Sequence, residues 1–144
     1  MPYNASHIAK HILKLSNPEY GDLISNLKLQ KLLYYCQGFH LALNDTLLFE
    51  ENIEAWQYGP VVPEVYHEYK HLGPAAIEVP NEVDEIDEKT EELIKEVYDV
   101  YGQFSALKLM EMTHNEMPWT STPINEVISV DLMKQYFIPL TEKE

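Results

Sequence analysis

Ser25-Asn26-Leu27-Lys28-Leu29-Gln30-Lys31-Leu32-Leu33-Tyr34-Tyr35-Cys36-Gln37-Gly38-Phe39-His40-Leu41-Ala42-Leu43 decides the fold. Leu29, Leu32, Leu33, Cys36, Phe39 and Leu43 recur at three- and four-residue steps, the period of one helix face. Nineteen residues in this pattern predict one long helix, from about Ser25 to Leu43, at the centre of the core. Gly38 inside it costs about 1 kcal/mol against Ala, which marks a place where another element comes close. Lys28, Lys31 and Tyr35 share a second stripe beside the apolar one and read as an exposed flank.

Outward from this helix the chain reads as further helices with irregular connections. Upstream, Asn4 or Ser6 caps a helix to Leu15, with Ile8 and Ile12 inward, and Ser16-Asn17-Pro18 stops it. Downstream, the pattern over 47–58 loosens, and the alternation Ile53-Glu54-Ala55-Trp56-Gln57-Tyr58 reads as a short strand or extended arm. Gly59-Pro60 reads as a turn, and Pro63 suits the first turn of a helix carrying Val62, Val65, Tyr69 and Leu72. Residues 78–99 hold ten acidic residues and two lysines, an exposed loop followed by a helix with Leu93, Ile94, Val97 and Tyr101 inward. Ser105 and Ser129 cap two more helices. The expected architecture is all-α or nearly all-α: about six helices around the long one, in one domain over residues 1–144.

Composition narrows the function. The 144 residues include 45% hydrophobic residues, one cysteine and no stretch of about 20 apolar residues, so the reading is a globular, cytoplasmic chain without disulfide or membrane span. Ten lysines, no arginine and 24 acidic residues give a net charge of −14. Nucleic-acid binding needs a cationic surface, and arginine makes the commonest base contact, so direct nucleic-acid binding is not expected. An acidic chain suits steered association with a basic partner.

Enzyme parts are weak. His67 and His71, four apart and flanked by Glu64 and Glu68, have zinc-ligand spacing, but Val62, Val65 and Tyr69 claim the buried face and leave these four to solvent. His7 and His11 repeat the spacing with fewer acids. Cys36 sits on the apolar stripe, where a thiol is filler, and catalytic cysteines need an electropositive setting. No phosphate loop, nucleophile elbow or paired-cysteine motif occurs, so no catalytic residue, metal or cofactor is assigned and the chain is not read as an enzyme. Aromatic side chains are the stronger feature, since Tyr and Trp combine large rigid area with a polar edge and dominate interface hot spots. Lys28, Lys31, Tyr35, Trp56, Tyr58 and Tyr66 form the candidate partner-binding set.

Leu27-Lys28-Leu29-Gln30-Lys31-Leu32-Leu33-Tyr34-Tyr35-Cys36-Gln37-Gly38 resembles the signature helix of the Panacea, or SocA-like, antitoxin domain. Glu54-Ala55-Trp56-Gln57-Tyr58-Gly59-Pro60-Val61-Val62-Pro63-Glu64-Val65-Tyr66 resembles its second segment, and Thr113-His114-Asn115-Glu116-Met117-Pro118-Trp119 its Thr-His-x-x-x-Pro-Trp element. The resemblance implies an antitoxin of a type II toxin–antitoxin pair, bacterial or phage-borne, that neutralises a small cognate protein toxin by direct contact. It also admits a proteolytic adaptor that delivers the toxin to a AAA+ protease, or a phage-encoded interaction module; a metal-dependent enzyme is the weakest alternative. Leu29, Leu32, Leu33, Gly59, Pro60, Pro63, His114, Pro118 and Trp119 read as scaffold. Gly59 and Pro60 would orient Trp56 and Tyr58, Pro118 would place Trp119 after a helix end, and His114 would donate to free helix carbonyls or meet the helix dipole. A closed homodimer is admissible by symmetry, though no heptad or long edge strand argues for it.

Overall fold

The computed structural model describes residues 2–142. Among them are seven α-helices: α1 (Ala5–Lys14), α2 (Asn26–Asn44), α3 (Pro63–Tyr69), α4 (Glu88–Tyr101), α5 (Ala106–Thr113), α6 (Met117–Thr120) and α7 (Val130–Thr141). Two short strands, β1 (Glu54–Trp56) and β2 (Gly59–Val61), pair antiparallel with Trp56 opposite Gly59. The molecule is mostly helical, as its periodicity predicts. The seventh helix is the one the sequence reading leaves out: α6 is a four-residue turn with Pro118 near its start, so Pro118 follows the end of α5 and also opens a short helix that carries Trp119.

Capping chemistry sets the helix starts. Asn4, not Ser6, caps α1 by accepting the His7 amide at 2.8 Å. Ser25, Asp87, Ser105 and Ser129 do the same for α2, α4, α5 and α7. Asp87 holds its carboxyl down at about 2, because Thr90 and Tyr3 donate to it.

Helix α2 is buried on every side from Lys28 to Gly38, and α1, α3, α4, α5, α7 and β2 all touch it. A helix surrounded in this way has no solvated face, so the two-stripe reading of it fails. Its polar side chains turn inward and fasten loops. Gln37 accepts the Leu48 amide at 2.7 Å and donates to the Phe49 carbonyl at 2.9 Å. Gln30 accepts the Val62 amide at 2.9 Å and donates to Asn26, which donates to the Tyr66 carbonyl. The exception runs the other way: Leu43, assigned to the core stripe, lies in the last turn beyond the enclosing helices and is largely exposed.

Gly38 does mark a close approach. A β-carbon there would stand 2.2 Å from the Phe137 ring of α7, so glycine is what lets α7 lie against α2. Phe137 then packs edge-on against Tyr34 and Phe39.

The strand region corrects a second detail. Gln57-Tyr58 forms the hairpin turn, whereas Gly59 and Pro60, expected to be the turn, belong to β2. The outer edge of β1 is covered by residues 125–128: Ala55 donates to the Glu126 carbonyl at 2.9 Å and Ile128 donates to Ile53 at 2.8 Å. An exposed edge is thereby closed.

Candidate protein-binding surface

The three segments that carry the resemblance meet around α2. Lys31 Nζ donates to the Pro60 carbonyl at 3.2 Å. Tyr34 and Tyr35 donate to the two carboxylate oxygens of Glu116 at 2.9 and 2.7 Å. The Trp119 indole donates to the Trp56 carbonyl at 2.8 Å. These bonds, buried at Lys31, Pro60 and Glu116 and half-buried at Trp56 and Trp119, make the motif a clamp: Lys31 ties the hairpin and Tyr34 and Tyr35 tie the start of α6 to the central helix, and Trp119 ties α6 to the hairpin. Leu29, Leu32 and Leu33 are buried beneath it and Pro60 is buried within it, with Pro63 at the start of α3 and Pro118 buried within α6.

This arrangement overturns the exposed flank. Lys31 and Tyr35 are each 0% exposed and Lys28 is 7%, its ammonium reaching the Gly102 carbonyl. The helical stripe was real, but α4 and α5 cover it, and Tyr101 stacks on Tyr35 with ring centres 3.8 Å apart. His114 stands at the C-cap of α5. Its ring stacks on Trp119 at 4.2 Å, and its Nε2 is buried with no hydrogen-bond partner among the described residues.

Burial decides the electrostatics of the clamp. The Lys31 amine, enclosed without a counter-ion, is pushed down to about 7. Glu116 is raised by the same desolvation, which outweighs the tyrosine hydroxyls that favour its charged form. Tyr34 and Tyr35 are raised in turn by burial and by the Glu116 charge. For Lys31 the linkage has a definite sign. Between about 7 and 10.5 the unfolded chain keeps a proton that the folded chain has lost, so folding gains stability as pH rises through that window. Lys31→Met is expected to remove this slope, at most about 1.4 kcal/mol per pH unit for one group. Urea melts at about pH 7, 8 and 9 check it: the variant should be favoured most at the lowest pH, with the gap closing upward.

What remains open to a partner lies at the hairpin. Tyr58, at the turn, is 58% exposed, and Trp56 and Tyr66 are half-buried with rings edge to face at 4.9 Å. With Leu27, Val61, Lys70 and Pro74 they line a groove of about 590 Å3 between the hairpin, α2 and the end of α3. Its lining contains no carboxylate, and at its margin Glu54 accepts from the Trp56 indole at 2.9 Å. The clamp fixes this groove, because Trp119 holds the Trp56 main chain and Gln30 holds the Val62 amide.

The other candidates separate cleanly. His67 and His71 are exposed, His67 lies against Trp56 and Tyr66, and Glu68 is engaged by Ser6 and Lys10. Cys36 is enclosed by the core, and burial raises its thiol. No helix among the described residues is long and apolar enough to cross a membrane.

Antitoxin SocA of Caulobacter vibrioides is 46% identical over 54 residues, 38% of this chain and 29% of that protein, so the shared stretch spans less than a third of the relative. No solved structure matches. The family described as Antitoxin SocA-like, Panacea domain matches residues 29–120, which contain every residue of the buried clamp, and the chain belongs to that family.

Proposed function

We propose that this chain is a non-catalytic antitoxin that neutralises a small cognate protein toxin by direct contact, and that the hairpin groove is where the toxin seats. Family membership carries the function. The aromatic groove, held rigid from beneath, supports the location: a preorganised surface loses little entropy on binding, and exposed Tyr with half-buried Trp is hot-spot chemistry. The binding set is accordingly Trp56, Tyr58 and Tyr66, with Leu27 and Lys70 at the groove wall. Lys28, Lys31 and Tyr35 act from below by fixing the scaffold.

Growth of cells expressing the adjacent small open reading frame tests this. Wild type should restore growth, while Tyr58→Glu with Lys70→Glu, both exposed and so compatible with folding, should lose rescue and weaken complex formation by at least about 30-fold, the loss of one interface hot spot. Rescue by the double variant would move the contact elsewhere; absence of any toxicity or complex would remove the antitoxin reading. Toxin half-life with and without the chain separates masking from delivery to a AAA+ protease.

A further inference from the structure

The strap formed by residues 77–87 crosses α1 without regular secondary structure. One end is fixed by Ile77, whose amide donates to the Ile24 carbonyl at 2.8 Å, and the other by the mutual bonds of Tyr3 and Asp87. Between these points both His7 and His11 aim Nε2 at a single atom, the main-chain oxygen of Asp84, at 2.8 and 2.6 Å. Two imidazoles one turn apart therefore converge with a carbonyl oxygen on one point. A zinc ion about 2.1 Å from each Nε2 would lie about 3.2 Å from each ring centre, and two such rings at a tetrahedral angle stand about 5.2 Å apart. The observed separation of the ring centres is 5.4 Å.

We propose that His7, His11 and the Asp84 carbonyl form a site for a divalent transition metal of the zinc or nickel class, which clips the acidic strap onto α1. Imidazole nitrogen suits these ions, and the oxygen is a third ligand that a count of side chains misses: no three His, Cys, Asp or Glu side chains cluster in this way among the described residues. Solvent completes the shell, since both rings are half-buried and the strap lies at the surface. The strap itself carries five acids, Glu78, Glu82, Asp84, Glu85 and Asp87, a local negative charge that favours a dication. Ligands around zinc stand about 3.4 Å apart, so the three atoms part by several tenths of an ångström to admit it, a movement available to an irregular strap. Binding also moves the proton of each ring. Without metal both Nε2 atoms donate an N–H to Asp84; with it each Nε2 offers its lone pair and Nδ1 carries the hydrogen.

The test uses tag-free full-length protein titrated with zinc and with nickel by calorimetry. One ion per chain is expected, weakened by more than about tenfold in His7→Gln and in His11→Gln, and unchanged in a His67→Gln, His71→Gln variant. Melting curves confirm that each variant folds. Nitrogen–proton correlation of the wild-type imidazoles provides a reading that needs no variant: Nε2 of both His7 and His11 should report metal, and amide exchange over residues 78–87 should slow. Absence of stoichiometric binding, binding that survives loss of either ring, or metal signals on other histidines would each overturn the site.

Discussion

Glu116→Ala is expected to lower the free energy of unfolding by about 4 kcal/mol, the largest single effect in the molecule. The carboxylate is buried between α5 and α6 and receives Tyr34 and Tyr35, both wholly enclosed. Removing it strands two phenolic hydroxyls at roughly 1–3 kcal/mol each and leaves a cavity beside them. Glu116→Gln should cost far less, because the amide keeps an acceptor and its N–H can donate to a tyrosine oxygen. The two variants separate further with pH. Burial raises Glu116 from 4.5, so the stability it confers is whole below that value and is lost as pH rises through the folded-state value. The glutamine variant, which imitates the protonated acid, should therefore gain on wild type as pH climbs from about 4.5. Urea unfolding followed by circular dichroism reads both differences; a Glu116→Ala cost under about 1 kcal/mol would mean that the tyrosines find other partners.

Gly59→Ala should cost about 3 kcal/mol and abolish rescue of growth together. The residue has φ of +110°, which L side chains rarely adopt, and a β-carbon there would lie 2.6 Å from Lys31 Cε and 2.8 Å from Thr113 Oγ1. Backbone strain of roughly 1–3 kcal/mol adds to overpacking of similar size. The neighbours cannot simply withdraw, since Lys31 is enclosed and Thr113 is tied to the Met110 carbonyl. A Gly59→Ala, Thr113→Ala pair separates the terms. It should recover more than about 0.5 kcal/mol through relief of the contact while the φ strain persists. Additivity of the two substitutions would place the cost in the backbone and in the contact with Lys31, not in Thr113.

Local chemistry accounts for what was legible in the sequence. Asn4, Ser105 and Ser129 cap the helices whose starts they mark, because a cap needs only its own side chain and the next amides. Gly38 announced the approach of α7, and Pro63 the start of α3. The errors are long-range. Periodicity places Lys28, Lys31 and Tyr35 on one flank of α2 but says nothing about whether α4 and α5 will cover that flank. Glu116 was present in a motif without a role, and its role depends on tyrosines more than 80 residues earlier. The aromatic half of the candidate set fared differently: Trp56, Tyr58 and Tyr66 do gather at one groove, since the hairpin and α3 that carry them are neighbours in the chain.

The packing of Phe137 into the gap left by Gly38 has a kinetic consequence. Helix α2 ends at Asn44, yet α7, which covers one flank of it, is translated only from Val130 onward. At synthesis rates of about 5–20 residues per second, the apolar flank of α2 stays uncovered for several seconds while the rest of the chain is made. Native packing of this flank waits for α7, so a chain cut short before Val130 has an open core, a ready substrate for chaperones and proteases.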